Sequence, residues 1–121
     1  MTVESRRVLV VEDDDDLRQI IVDSLIDQGY VARAVADGAA GLAAANAEPF
    51  DLIVTDVVMP RLSGVALALA VKDGPLNAQT PVLIITGTAD MADVAAATPT
   101  IPILLKPFSA AALLRAVARL V

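Results

Sequence analysis

Phe50-Asp51-Leu52-Ile53-Val54-Thr55-Asp56-Val57-Val58-Met59-Pro60 decides how this 121-residue chain is read. Leu52, Ile53 and Val54 form a short apolar run rich in β-branched side chains, the composition of a strand covered on both faces of a parallel sheet. The run ends on the carboxylate of Asp56. Proline disfavours helical geometry in the residue before it, so Met59-Pro60 predicts a loop just beyond Asp56. Asp56 is therefore expected at a carboxyl edge, where open α/β sheets bind ligands. An isolated Asp after a strand is as readily a solvated loop acid, and the remaining strands decide between the two.

Outward from this stretch the chain alternates between strand and helix patterns. Arg7-Val8-Leu9-Val10-Val11 predicts a first strand that stops at Glu12-Asp13-Asp14-Asp15-Asp16. A helix follows from about Asp15 to Gln28, closed by Gly29, with Ile21, Leu25 and Gln28 on one side and Leu17 and Ile20 on the flank nearest the acids. Capping and compensation of the helix dipole account for Asp14, Asp15 and Asp16, but less well for Glu12 and Asp13, which end the strand. Val31 to Val35 predicts a weaker second strand, and Asp37 to Ala47 an alanine-rich helix ending at Glu48-Pro49. After Asp56, Leu62-Ser63-Gly64 opens a helix from Val65 to about Lys72, stopped by Asp73-Gly74-Pro75. Pro81 to Ile85 is a fourth strand ending on Thr86-Gly87-Thr88, and Met91 to Ala97 a short helix with little to bury. Ile101 to Leu105 is a fifth strand whose Pro102 suits a sheet edge. Ser109 caps a last helix carrying Leu113, Leu114, Val117, Leu120 and Val121 at helical spacing.

Five strand and helix pairs of these lengths imply one doubly wound parallel α/β sheet over residues 1–121 with no output domain. The Met start and the finished last helix suit a complete protein. Net charge is −6, which disfavours nucleic acid and anionic membrane surfaces as partners. Aromatic residues are 2% of the chain against 56% hydrophobic, so the core must be built from Val, Ile, Leu and Ala. The chain holds no Cys, which excludes disulfides and thiol chemistry, and no His, which excludes a histidine base or a phosphohistidine of its own. Without a membrane-length apolar run or a leader pattern, a cytoplasmic location is expected.

The polar residues gather by place. Glu12 and Asp13 end the first strand, Asp56 the third, Thr86 the fourth and Lys106 the fifth. If the first and third strands are neighbours, their acids meet in one crevice and repel, unless a cation sits among them. A hard divalent ion such as Mg²⁺ accepts a couple of carboxylates, a backbone carbonyl and waters. The chemistry suggested is phosphoryl transfer onto Asp56, with Lys106 and the Thr86 hydroxyl on the phosphoryl oxygens.

Val-Leu-Val-Val-Glu-Asp-Asp, Asp-Leu-Ile-Val-Thr-Asp-Val-Val-Met-Pro, Pro-Val-Leu-Ile-Ile-Thr-Gly and Leu-Lys-Pro-Phe, in this order, resemble the receiver domain of two-component response regulators across nearly the whole chain. The resemblance implies a flavodoxin-like sheet of strand order 2-1-3-4-5. It implies Asp56 as phosphoacceptor, Mg²⁺ held by Glu12, Asp13, Asp56 and the Val58 carbonyl, and Thr86 and Lys106 as switch hydroxyl and phosphate-pairing lysine. The Lys106-Pro107 bond would be cis. The donor would be a sensor histidine kinase or a histidine phosphotransfer protein, docking on Leu17, Ile20, Pro107 and Phe108, with a downstream target protein receiving the signal. Such a chain catalyses only its own phosphorylation and dephosphorylation and is otherwise no enzyme.

Three departures from the family pattern stand out. Ile103 occupies the position where the family usually has an aromatic switch residue. The segment from Thr86 to Lys106 reads as short, with a stunted fourth helix, so dimerisation through the fourth helix, fifth strand and fifth helix is not expected to be strong; a monomer or weak homodimer follows. Val58 and Thr88 sit where the family tunes loss of the phosphoryl group, and apolar Val58 predicts a slow loss. The alternative reading is a pseudo-receiver that serves only as an interaction module. A hydrolase or nucleotide-binding enzyme is disfavoured, because the chain has no Gly-rich phosphate loop, no Gly-x-Ser-x-Gly elbow and no second Asp two residues after Asp56.

Overall fold

A computed structural model describes residues 6–59 and 61–121. Pro60 and the start of the chain at Met1 to Ser5, on which the loop and leader expectations partly rested, lie outside the described residues. The elements run β1 (Arg7–Val11), α1 (Asp15–Asp27), β2 (Val31–Val35), α2 (Gly38–Ala47), β3 (Leu52–Asp56), α3 (Gly64–Lys72), β4 (Val82–Thr86), α4 (Thr88–Ala97), β5 (Ile103–Leu105) and α5 (Ala110–Leu120). The strands form one five-stranded sheet in the order β2-β1-β3-β4-β5, and every pairing is parallel.

Alternation along each strand sends successive side chains to opposite faces, and both faces are covered, so the central strands read as unbroken apolar runs. Every residue of β3 and β4 is buried. On one face Leu9, Val11, Ile53 and Ile84 pack with Ala44, Leu67, Val71 and Val94 from α2, α3 and α4. On the other, Val8, Val10, Leu52, Val54, Leu83 and Ile85 meet Ile21 and Leu25 of α1 and Leu113 and Val117 of α5. Gly41 lets α2 lie close to the sheet, since a Cβ there would come within 2.9 Å of the Val11 side chain.

Four helix starts follow side-chain capping. Asp14, Asp37, Ser63 and Ser109 each accept the amide three residues on, relieving donors that no helical carbonyl can reach. The structure corrects three expectations about the elements. Gln28, placed with Ile21 and Leu25, is exposed at the C-cap of α1. The fourth helix is not stunted: it begins at Thr88, three residues before Met91, and matches α2 in length at 10 residues. Gly87 starts it in extended geometry without a side-chain cap, which left no signal in the sequence. Finally, β5 is only Ile103–Leu105, and Pro102 precedes it while its carbonyl still accepts the Ile84 amide at 3.0 Å.

One buried polar group ties the end opposite the acids together. The Asn77 carbonyl accepts the Phe50 amide at 2.8 Å, and its NH₂ donates to the Ala45 and Glu48 carbonyls at 2.6 and 2.9 Å. This joins the end of α2, the entry to β3 and the loop before β4. Asn77→Ala should lower stability by about 2–4 kcal/mol, because several bonds are lost and their partners stay buried. Urea unfolding reads the effect, and an unchanged midpoint would contradict this role for Asn77.

Candidate functional site

The strand register builds the site. Val11 pairs with Thr55 across β1 and β3, so the next residues, Glu12 and Asp56, reach the carboxyl edge of the sheet side by side. Thr86 pairs with Leu105 across β4 and β5, and the following Lys106 donates its amide to the Thr86 carbonyl at 2.8 Å. Lys106 then reaches back across β4. Its Nζ lies 3.2 Å from Asp56 Oδ2 and 3.6 Å from Glu12 Oε1. Glu12, Asp13 and Asp56 each offer a carboxylate oxygen, and these oxygens all lie within 4.8 Å of one another.

Asp56 is held from two sides. Its Oδ1 accepts the Val57 amide at 2.8 Å, leaving Oδ2 to face Lys106. Behind it, Gly64 packs against the strand end so closely that a Cβ would sit 2.0 Å from the Asp56 carbonyl oxygen. The Gly64 amide meanwhile donates to the Val57 carbonyl at 2.9 Å.

Glu12 is only 1% exposed, and its Oε1 has no hydrogen-bond partner. Burial pushes its carboxyl up to about 7, helped by the Asp56 charge and opposed by the Asp14 amide and Lys106. Desolvation alone would lower the Lys106 ammonium, but the charges of Glu12 and Asp56 outweigh it and hold Lys106 above its ordinary value. A buried oxygen without a hydrogen bond, beside two further carboxylates, is what a hard divalent cation would satisfy, so the donor set fits Mg²⁺.

Of the residues predicted from sequence, Glu12, Asp13, Asp56 and Lys106 are brought together. Thr86 is buried at the end of β4, with its hydroxyl 3.4 Å from the Gly87 carbonyl. Val58 lies two residues past Asp56 with 66% of its surface exposed. The Lys106-Pro107 bond is cis. An open groove of about 420 Å³ beside the acids is lined by Leu17, Lys106, Pro107 and Phe108. Ile20 does not line it and stands 56% exposed further along α1. Leu17 and Phe108 also pack against the core, so they serve both surfaces. Sequence reasoning missed Arg18, whose guanidinium donates to the Glu12 carbonyl at 2.8 Å and pairs with Asp15. A basic residue three positions after Asp15 in a helix's first turn was the available signal.

A parallel, doubly wound sheet with acids and a lysine converging on its carboxyl edge defines the receiver class of signalling modules. The family model for the response regulator receiver domain matches residues 8–118, and the chain belongs to that family. The response regulator receiver protein CpdR of Brucella abortus is 34% identical over 87 residues, covering 72% of this chain and 71% of CpdR. The transcriptional regulatory protein CseB of Streptomyces avermitilis is 36% identical over 91 residues, which span 75% of this chain and 37% of CseB. The chemotaxis response regulator CheY4 of Vibrio cholerae superimposes with a TM-score of 0.86 at 32% identity, over 96% of this chain and 98% of that one. The receiver domain of the sensor histidine kinase PA1611 from Pseudomonas aeruginosa matches with a TM-score of 0.87 at 27% identity, over 96% and 97% of the two chains. That structure holds a magnesium ion coordinated in its active-site cleft. Receiver domains act in two-component signalling, between histidine kinases and downstream effectors. Among the described residues no helix is long and apolar enough to cross a membrane.

The raised Glu12 carboxyl sets a pH dependence. Below about 4.5 the group is protonated in both folded and unfolded chains and contributes nothing. Between about 4.5 and 7 the unfolded chain loses the proton while the folded one keeps it, so stability falls as pH rises, then levels off. In metal-free buffer the melting temperature should therefore drop across this window, and Glu12→Gln should flatten the Glu12 part of that drop. Equal slopes for the two proteins would show that Glu12 is not the group responsible.

Proposed function

We propose that Asp56 accepts a phosphoryl group from a phosphohistidine on a sensor histidine kinase or histidine phosphotransfer protein, and that the phosphorylated chain signals by protein contact or onward transfer. The observation that carries this reading is the Lys106 ammonium 3.2 Å from Asp56 Oδ2, with Glu12 and Asp13 crowding the same edge. In the reaction an Asp56 oxygen forms a bond to phosphorus while the phosphorus–nitrogen bond of the donor breaks, and the electron pair returns to the imidazole. The Val57 amide orients the carboxylate, and Lys106 supplies positive charge where phosphoryl oxygens arrive. Thr86, at the end of the neighbouring strand, offers a hydroxyl to the same group. Mg²⁺ held by Glu12, Asp13, Asp56 and the Val58 carbonyl would neutralise the charge that phosphate adds to three carboxylates.

The donor has to bring its histidine to this edge, and the groove of Leu17, Pro107 and Phe108 opens beside Lys106 with Ile20 exposed on the adjoining helix. That apolar surface, next to a polar site, suits a helical partner. Once formed, the phosphoaspartate is expected to decay slowly, because an apolar side chain at Val58 gives attacking water no hydrogen bond.

Incubation with Mg²⁺ and acetyl phosphate should add one phosphoryl group by intact mass in the native chain and none in Asp56→Ala. Lys106→Ala should load far more slowly. After donor removal the adduct should persist for minutes rather than seconds. Failure of the native chain to gain mass would favour a pseudo-receiver that acts only through binding.

A further inference from the structure

The loop between β3 and α3 is closed at its ends by Gly64, which abuts the Asp56 carbonyl, and its last residues before α3 are held from another element. At the start of α2, a Cβ on Gly38 would lie 2.0 Å from the Leu62 carbonyl oxygen and 2.8 Å from the Leu62 Cβ. Helix α2 therefore touches the loop backbone itself. The neighbouring Arg61 holds φ of 76°, a left-handed geometry that is uncommon and strained for a residue bearing a side chain. Its guanidinium faces Asp37 Oδ2 at 3.8 Å, while Asp37 Oδ1 caps α2 through the Ala40 amide at 2.8 Å. Asp37 thus serves the helix with one oxygen and the loop with the other.

We propose that Asp37 and Gly38 of α2, with Arg61, are positioning residues that set the course of the loop carrying Val58, and through it the affinity of the acidic site for Mg²⁺. The inference rests on the reading of Val58 as a metal ligand. Arg61 is 74% exposed on its side chain, so its pair with Asp37 adds little to stability. Its effect falls on geometry, and stability and metal affinity separate. Gly41, three residues on, provides the contrast: a Cβ there would meet the Val11 and Leu67 side chains in the core and not the loop.

Isothermal titration with Mg²⁺, paired with thermal unfolding of the metal-free chain, tests this. Gly38→Ala should weaken Mg²⁺ binding about tenfold, the scale seen when groups that orient metal ligands are lost. Arg61→Gly should keep or raise the melting temperature, since glycine removes the left-handed strain, yet still weaken Mg²⁺ binding severalfold. Gly41→Ala should lower the melting temperature and leave Mg²⁺ affinity unchanged. Should Gly38→Ala fail to fold, Arg61→Gly carries the comparison alone. Native Mg²⁺ affinity in Arg61→Gly would overturn the proposal while leaving the metal site standing. Absence of Mg²⁺ binding by the native chain would overturn both.

Discussion

Like charges at the ends of adjacent strands repel, and the Lys106 ammonium between Glu12 and Asp56 is the contact that makes their arrangement tolerable. Both carboxylates are almost out of water, where repulsion is screened least. The lysine arrives from β5, two strands away from β3, so the counter-charge depends on β1, β3, β4 and β5 closing in order. The cost of the acidic edge is met by residues with no part in it. Val8 to Val11, Leu52 to Val54 and Val82 to Ile85 are nearly all fully buried, each large side chain contributing about 1.5–3 kcal/mol. Lys106 offsets the repulsion only in part, since burial still raises the Glu12 carboxyl, and the surrounding core has to be stable enough to hold the acids together.

Residues that end apolar strands were legible from sequence because period and chemistry change at the same place. Val11 to Glu12 and Thr55 to Asp56 mark strand ends, and a parallel register does the rest. What was not legible depends on close approach between distant segments. Nothing local to Gly38 or Gly64 tells that a backbone carbonyl occupies the space where a Cβ would be. Asn77 sits in a loop of turn-like composition, and only the fold shows that three separate segments depend on its amide. The early start of α4 leaves no local mark for the opposite reason, since Gly87 carries no capping side chain.

The face built from α4 and β5 differs from the rest of the sheet. Along α4 only Val94 is buried, and β5 is three residues long with none fully buried. Ile103 packs against the core on that side, as an aliphatic side chain of its size can. An aromatic ring can sweep a large arc between orientations, whereas a β-branched isoleucine is restricted at χ1 and has a short reach. The helix is full length but lightly anchored, with Val94 its buried side chain.

The run Glu12-Asp13-Asp14-Asp15-Asp16 shows how one composition divides into several physical jobs. Asp14 spends a carboxylate oxygen on the Leu17 amide and so belongs to the helix. Asp15 pairs with Arg18, and the same guanidinium reaches the Glu12 carbonyl, so it links the capping acids to the strand end. Glu12 accepts the Asp14 amide with Oε2, which turns its other oxygen inward without a hydrogen-bond partner. The helix start thus engages Asp14 and Asp15, while Glu12 and Asp13 gather with Asp56 at the sheet edge. Capping and site formation are the same local fold seen from two sides.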